Sequence, residues 1–296
     1  MHQEFRTSSG GFIDRSEEIS FIFNGKKYYG YRGDTLASAL LANGIHLIGR
    51  SFKYHRPRGI FAAGVEDANG KVQLYKDNIT EPNVNVTEVE LVEGLRIESQ
   101  NCWPSVDFDV GGINNFFSRF FPAGFYYKTF MWPKSFWYHV YEPFIRKAAG
   151  MGKAPLDPDP DRYEHQYEHC DILVVGSGPS GIASALSAAK NGARVILAED
   201  KSRFGGSLLT DNVTIGNKNG DEWVEDSIAE LESMPNVTVR KRSQVFGYYD
   251  HNMLVMFERC KDHLKNPTPY TPRQRLWYIR AKHVIISTGS IERPLI

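Results

Sequence analysis

The stretch from Cys170 to Asp200, CDILVVGSGPSGIASALSAAKNGARVILAED, constrains the fold more than any other part of the chain. Ile172 to Val175 is a continuous apolar run, the pattern of a strand buried on both faces. Gly176, Gly178 and Gly181 follow at once, with Pro179 and Ser180 between. Ile182 to Lys190 is rich in Ala and Leu and predicts a helix that stops at Asn191-Gly192. A second apolar strand, Val195 to Ala198, ends in the acidic pair Glu199-Asp200. Strand, glycine turn, helix and strand in this order make a βαβ unit of the dinucleotide-binding kind.

Each residue type has a physical task there. Gly176 permits a tight turn out of the strand, Gly178 lets a pyrophosphate approach the backbone, and Gly181 lets the helix pack closely on the strand. Free N–H groups and the positive end of the helix dipole favour an anion. Pro179 suits the first helical turn, where its missing N–H costs nothing. Glu199 stands 199 − 176 = 23 positions after the first glycine. That is close to the roughly 20 at which an acid accepts hydrogen bonds from a ribose. Small residues also pack helices on sheets, and a fold of this kind can lose its ligand. The strand before the glycines, the helix after them and the acid on schedule favour a bound dinucleotide. Further on, Arg203-Phe-Gly-Gly-Ser207 brings Gly206 and Ser207 close to such a nucleotide. A last strand, His283 to Ser287, would lead Thr288 and Gly289 back to face it. NAD is expected over NADP, because a 2′-phosphate beside Glu199 and Asp200 would meet carboxylate repulsion, softened only by Lys201.

A chain of 296 residues has room for two domains of ordinary size. Its formal net charge of +0 implies no bulk attraction to nucleic acid or a membrane. The polar N-terminus, MHQEFRTSSGGFIDRSEE, has no apolar core and is not expected to be a secretory signal. Cys102, Cys170 and Cys260 are odd in number and far apart, with neither a disulfide framework nor a metal-ligand spacing. A reducing cytoplasm is the expected setting.

Ile19 to Tyr31 predicts a hairpin around Asn24-Gly25, and Asp34 or Thr35 then caps a helix from Leu36 to Ala42. Hairpin, helix and irregular chain suggest a small β-grasp domain of the plant-type ferredoxin kind, with Asn83 to Val92 as a further strand. Such a domain would hold a [2Fe–2S] cluster through a Cys-x4-Cys-x2-Cys loop, yet Gly49 to Asn69 contains no cysteine. In its place stands Arg50-Ser-Phe-Lys-Tyr-His-Arg-Pro-Arg-Gly59. Four cations among aromatics could track a nucleic acid, but the neutral chain favours a solvated or partner-facing loop. Gly112 to Gly150 is dense in Phe, Tyr and Trp, interrupted by Arg119, Lys128, Lys134, Pro122, Pro133 and Pro143. No membrane span fits this pattern, and a pad covered by another domain or subunit is preferred to a ligand-stacking site.

Ala154 to Asp161, APLDPDPD, reads as a stiff linker. After it, Trp223 to Ser233 predicts a crossover helix, and Val237 to Arg240 and Ser243 to Tyr248 predict strands. Met253 to Cys260 and Arg275 to Arg280 suggest a β-meander. The expected division is a cluster-free ferredoxin-like β-grasp domain over 1–110 and an aromatic-rich connector and linker over 111–165. A Rossmann-type FAD/NAD(P)-binding domain follows over 166–296. With barely three or four parallel strands it is expected to be incomplete, finished by more of a longer protein or by another chain.

Several strings carry a more specific resemblance. GRSFKYHRPRGI, PAGFYYKTFMWP, GSGPSG, AEDKSRFGGSLL, VFGYYDHNMLV and RLWYIRAKHVIISTGSIERPLI resemble the N-terminal part of the α-subunits of heterotetrameric sarcosine oxidases. The resemblance implies NAD contacts at Ser180, Glu199, Asp200, Lys201 and Ser207, with Val245 near the adenine. It also implies a longer α-subunit with a folate-binding domain, partnered by β-, γ- and δ-type subunits. FAD would sit in the β-subunit, FMN at the α/β interface, and tetrahydrofolate beyond this chain. The implied reaction converts sarcosine to glycine with tetrahydrofolate and O2, giving 5,10-methylenetetrahydrofolate and H2O2. No Cys, His or Lys stands as an evident nucleophile or base, so no catalytic residue is assigned and the chain alone is expected to be inactive. The alternatives are a subunit of a related amine, opine or hydroxyproline dehydrogenase complex, whose relatives keep cluster cysteines, or a non-catalytic dinucleotide-binding scaffold.

Overall fold

Alternating residues on either side of Asn24-Gly25 fold back as β1 (Asp14–Phe23) and β2 (Lys26–Arg32), an antiparallel hairpin that turns Ile19, Phe21 and Phe23 inward. The computed structural model describes residues 3–76, 79–124, 129–150 and 152–291. They fall into two compact units, one running to Asp159 and one spanning Pro160–Ser290.

In the first unit Thr35 caps α1 (Leu36–Ala42), its Oγ1 accepting the Ser38 N–H at 3.2 Å. Asp34 accepts the Tyr31 N–H instead and pairs with Arg6 at 2.6 Å. Two-residue strands β3 (Gly49–Arg50) and β4 (Pro57–Arg58) follow, then β5 (Lys71–Lys76), β6 (Ile79–Asn85) and β7 (Arg96–Ser99). The five-stranded sheet has the order β2-β1-β7-β5-β6, with β7 parallel to β1. Leu36, Ala39 and Leu40 of α1 pack on Phe21, Leu74 and Ile97. Full burial of each large side chain contributes about 1.5–3 kcal/mol.

The strand expected over Asn83 to Val92 stops at Asn85. Beyond it, Val86 and Val89 turn their carbonyls to the N–H groups of Ala37 and Leu36, while Val86 and Leu91 are buried. The apolar alternation there anchors a loop under the helix and does not mark a strand.

The basic loop is tied to distant backbone inside this unit, while Phe52 and Arg56 stay exposed. Arg50 donates to the Val106 carbonyl, Lys53 to that of Pro122, and Arg56 to Asn115 Oδ1. Tyr54 donates its hydroxyl to the Phe121 carbonyl, and the buried His55 meets Asp109 at 2.6 Å. These partners lie 54 to 69 residues along the chain, so no local pattern announces them. Beyond come α2 (Ile113–Phe116) and α3 (Glu142–Ala149), whose stretch leaves Phe116 84% and Trp132 82% exposed.

The second unit is built on β8 (Tyr163–Val175), α4 (Pro179–Lys190) and β9 (Val195–Ala198). The small ladder β10 (Thr214–Ile215) and β11 (Lys218–Asn219) leads to α5 (Gly220–Ser233). The unit continues with β12 (Val237–Arg240), β13 (Ser243–Tyr249), β14 (Met253–Arg259) and β15 (Gln274–Ile286). The sheet order is β12-β9-β8-β15-β14-β13; the first four strands are parallel and the last two antiparallel.

Strand β8 begins nine residues before the expected Ile172, because its polar first half pairs with β15. Likewise the two segments expected at 275–280 and 283–287 are one strand, continued through Ala281 opposite Cys170. Val174 and Leu197 face Ile182, Ala185 and Leu231 of the helices. Leu173 and Ile196 face Leu254, Met256 and Ile279 of the meander. Both layers therefore hold the ends of β8 and β9 rigidly, where the glycine turn and Glu199 emerge. No helix among the described residues is long and apolar enough to cross a membrane.

Candidate dinucleotide-binding site

The site forms at the carboxyl ends of β8, β9 and β15. Gly176 leaves β8 with φ of +96°, and a side chain there would lie 2.4 Å from the Ser287 carbonyl oxygen. Ser287 N–H in turn donates to the Val175 carbonyl at 2.7 Å, so the two strand ends are laced together. Gly181 is equally constrained, since a Cβ would sit 2.0 Å from the Gly176 oxygen. Gly178 differs from both. It is the N-cap of α4 in an extended conformation, and a Cβ there would meet nothing within 4 Å. The spacing that sequence alone suggests thus separates into two packing glycines and one that borders open space at a helix N-terminus. That helix start, with Ser180 exposed on its first turn, presents unpaired N–H groups to an anion.

Gly205 N–H donates to the Ser177 carbonyl at 3.0 Å, which brings the second glycine pair onto the first turn. Gly206, with φ of +56°, packs so closely that a Cβ would be 2.8 Å from Gly178 Cα. Gly206 and Ser207 are exposed beside it. Thr288 follows Ser287 against the Gly176 turn, and Thr288 and Gly289 are both exposed.

Glu199 closes the other side. It is only 5% exposed, and its Oε2 accepts both the N–H and the hydroxyl of Ser177, at 3.0 and 2.5 Å. Its Oε1 accepts the Lys201 N–H at 3.0 Å. Burial, reinforced by Asp200, pushes its carboxyl up to about 7, against the opposing pull of Ser177 and Lys201. Its backbone is fixed by Arg240 and Ser243, which receive and give hydrogen bonds at 2.8 and 2.7 Å. Arg259 donates to the Asp200 carbonyl at 2.6 Å. Val245 lies on β13 two residues beyond Ser243, half-buried against the core cluster that holds Leu254, Met256 and Ile279.

Gly176, Gly178, Pro179, Ser180, Gly181, Glu199, Gly206 and Thr288 are therefore brought together, with Asp200 and Lys201 attached through Glu199. Sequence reasoning missed Ser177 and Gly205. Both were visible as residues of the two glycine runs, but only the fold shows that Ser177 binds Glu199 and Gly205 binds Ser177. Burial pushes the Cys102 and Cys260 thiols up to about 11 and that of Cys170 up to about 12.

Residues 16–102 match a family model described as a 2Fe-2S iron-sulfur cluster binding domain, and residues 171–249 one described as FAD dependent oxidoreductase. The chain is 50% identical over 292 residues to the sarcosine oxidase subunit alpha of Rhizobium meliloti (strain 1021), covering 99% of this chain and 30% of that one. It is 32% identical over 289 residues to the corresponding subunit of Corynebacterium sp. (strain P-1), covering 96% of this chain and 25% of that one. It spans under a third of the length of these relatives. An L-proline dehydrogenase from P. horikoshii shares the fold with a TM-score of 0.60 at 19% identity, covering 95% of this chain and 43% of that one.

The iron–sulfur description does not fit the residues present. Within the matched span the sole cysteine is Cys102, whereas a [2Fe–2S] cluster of this type takes four. The segment from 49 to 69 is organised by carboxylate chemistry instead. Buried Asp67 accepts the N–H groups of Phe61, Ala62, Asn69 and Gly70. Burial pushes its carboxyl up, but those four donors prevail and hold it below the ordinary range.

Proposed function

Because nearly the whole of this chain is similar to sarcosine oxidase α subunits, we propose that it is the NAD-binding N-terminal portion of such a subunit. The observation that carries the proposal is the pairing of open space at Gly178 with the fixed carboxylate of Glu199. The pyrophosphate would lie over Gly178 and the α4 N-terminus, between Gly206 and Ser207. Glu199 would take the adenosine ribose hydroxyls, with Asp200 and Lys201 at the rim. Val245 would lie toward the adenine, and Thr288 and Gly289 toward the other half of the ligand. When bound, NAD supplies a hydride acceptor. The chain's own residues bind and orient it, and none is placed as an acid, base or nucleophile.

The complex would demethylate sarcosine oxidatively to glycine, using tetrahydrofolate and O2 and giving 5,10-methylenetetrahydrofolate and H2O2. FAD, FMN and tetrahydrofolate would be held outside this chain or at its interfaces with β-, γ- and δ-type subunits and the remainder of an α-subunit. The exposed Phe116, Phe120, Trp132 and Phe144 support a covered surface in that assembly. The three unpaired cysteines agree with a reducing cytoplasm, and the neutral charge with the absence of nucleic-acid or membrane partners.

A second reading has one specific support: residues 171–249 match an FAD-type model, so FAD is the competing occupant. Equilibrium titration with NAD, NADP and FAD separates them. NAD is expected to bind most tightly, and Glu199→Ala to weaken it at least tenfold. A Glu199→Ala variant that binds NAD as tightly as the parent rules out Glu199 as the ribose ligand.

A further inference from the structure

Ser177 is completely buried between the first two glycines of the turn. Every polar group it carries is engaged. Its N–H and its hydroxyl both donate to Glu199 Oε2, and its carbonyl accepts from Gly205. One residue thus joins the end of β8, the end of β9 and the second glycine turn. We propose that Ser177 is the positioning residue that fixes Glu199 as the hydrogen-bond acceptor for the ribose, an inference that rests on the dinucleotide reading of the site.

A carboxylate offers about four acceptor directions over its two oxygens. Two donors from Ser177 fill Oε2, and the Lys201 N–H takes one direction on Oε1. The Asp200 side chain also hydrogen-bonds this carboxyl, so a ribose hydroxyl would take the place of Asp200 while Ser177 and Lys201 keep the side chain from turning away. The hydroxyl of Ser177 also opposes burial, which favours the neutral acid. A neutral Glu199 would bring a proton where the ribose needs an acceptor.

The charged groups around Glu199 are known from each neighbouring element. Asp200 and Lys201 follow it in sequence, and Asp200 raises its affinity for a proton. Arg240 and Arg242 flank the β12–β13 turn, where the Arg240 carbonyl accepts the Glu199 N–H and the Arg242 N–H donates to Lys201. Arg259 of β14 holds the Asp200 carbonyl. From the turn after β8, Ser177 reaches the carboxylate with a side-chain hydrogen bond.

Ser177→Ala keeps the backbone N–H and carbonyl and removes only the hydroxyl. The test follows the Glu199 carboxyl carbon by NMR across pH 5–10 without nucleotide, in the parent and Ser177→Ala, with Glu199→Gln assigning the signal. The midpoint should rise by about one to two pH units in Ser177→Ala. NAD binding by the variant should then be about tenfold weaker at pH 7 and within about twofold of the parent at pH 9. An unchanged midpoint overturns the proposal, as does a deficit in binding that stays constant across pH. A raised midpoint in a protein whose parent binds no NAD supports the hold of Ser177 on Glu199 and refutes the NAD reading alone.

Discussion

Gly178→Ala separates binding from folding more cleanly than any other substitution in the site. Gly178 has φ of −66° and ψ of 179°, which alanine adopts without strain, and the added methyl meets no protein atom within 4 Å. Removing glycine from the unfolded chain stabilises by about 0.4–1 kcal/mol. Replacing glycine at a helix N-cap by alanine costs a comparable amount. Net stability should change by less than about 1 kcal/mol, or about 4 °C in Tm for a unit of this size. Binding is another matter. The methyl would occupy the space through which a pyrophosphate reaches the helix N-terminus, and hydrogen bonds to charged groups contribute about 1.5–3 kcal/mol each. Loss of one such bond weakens NAD roughly 10- to 150-fold. Thermal unfolding and titration calorimetry on the same preparation give both numbers. A normal Tm together with undiminished NAD affinity would refute the placement of the pyrophosphate over Gly178.

Three other outcomes are expected. Gly181→Ala should lower stability by about 1–3 kcal/mol or more, because its methyl collides with the Gly176 oxygen at 2.0 Å; an unchanged unfolding midpoint would contradict that packing. Glu199 binds a proton more tightly folded than its ordinary 4.5, at about 7, so its neutral form favours the fold below pH 4.5. That contribution, on the order of 3 kcal/mol, is lost as pH rises through 7 in the nucleotide-free protein. The parent should therefore lose stability relative to Glu199→Gln between pH 5 and 8, and parallel curves would show that Glu199 is not so perturbed. Residues 1–296 supplied with sarcosine, FAD, FMN and oxygen should form no peroxide catalytically, since the proposed role of this chain is to bind NAD; steady turnover would move the active site into this chain.

The βαβ unit was legible because its signals are local: a buried apolar run, three glycines at fixed spacing, and an acid about one unit later. The hairpin at Asn24-Gly25 and the helix from Leu36 to Ala42 were readable for the same reason. What escaped depends on distant partners. The polar first half of β8 is a strand only because β15 lies beside it. Val86 and Leu91 mimic strand alternation while anchoring a loop. Arg50 and Lys53 of the basic loop are tied to the carbonyls of Val106 and Pro122, far along the chain. Ser177 stood in plain view within the fingerprint, but its hydroxyl acquires meaning only when β9 brings Glu199 alongside.

The identity of the nucleotide is the most direct test. The protein is purified without added cofactor, denatured, and the released small molecules are identified and quantified against protein by mass spectrometry. NAD in an amount approaching one per chain is expected, from the site formed by Gly178, Glu199 and Gly206. FAD released in that stoichiometry instead, with no NAD, would contradict the assignment.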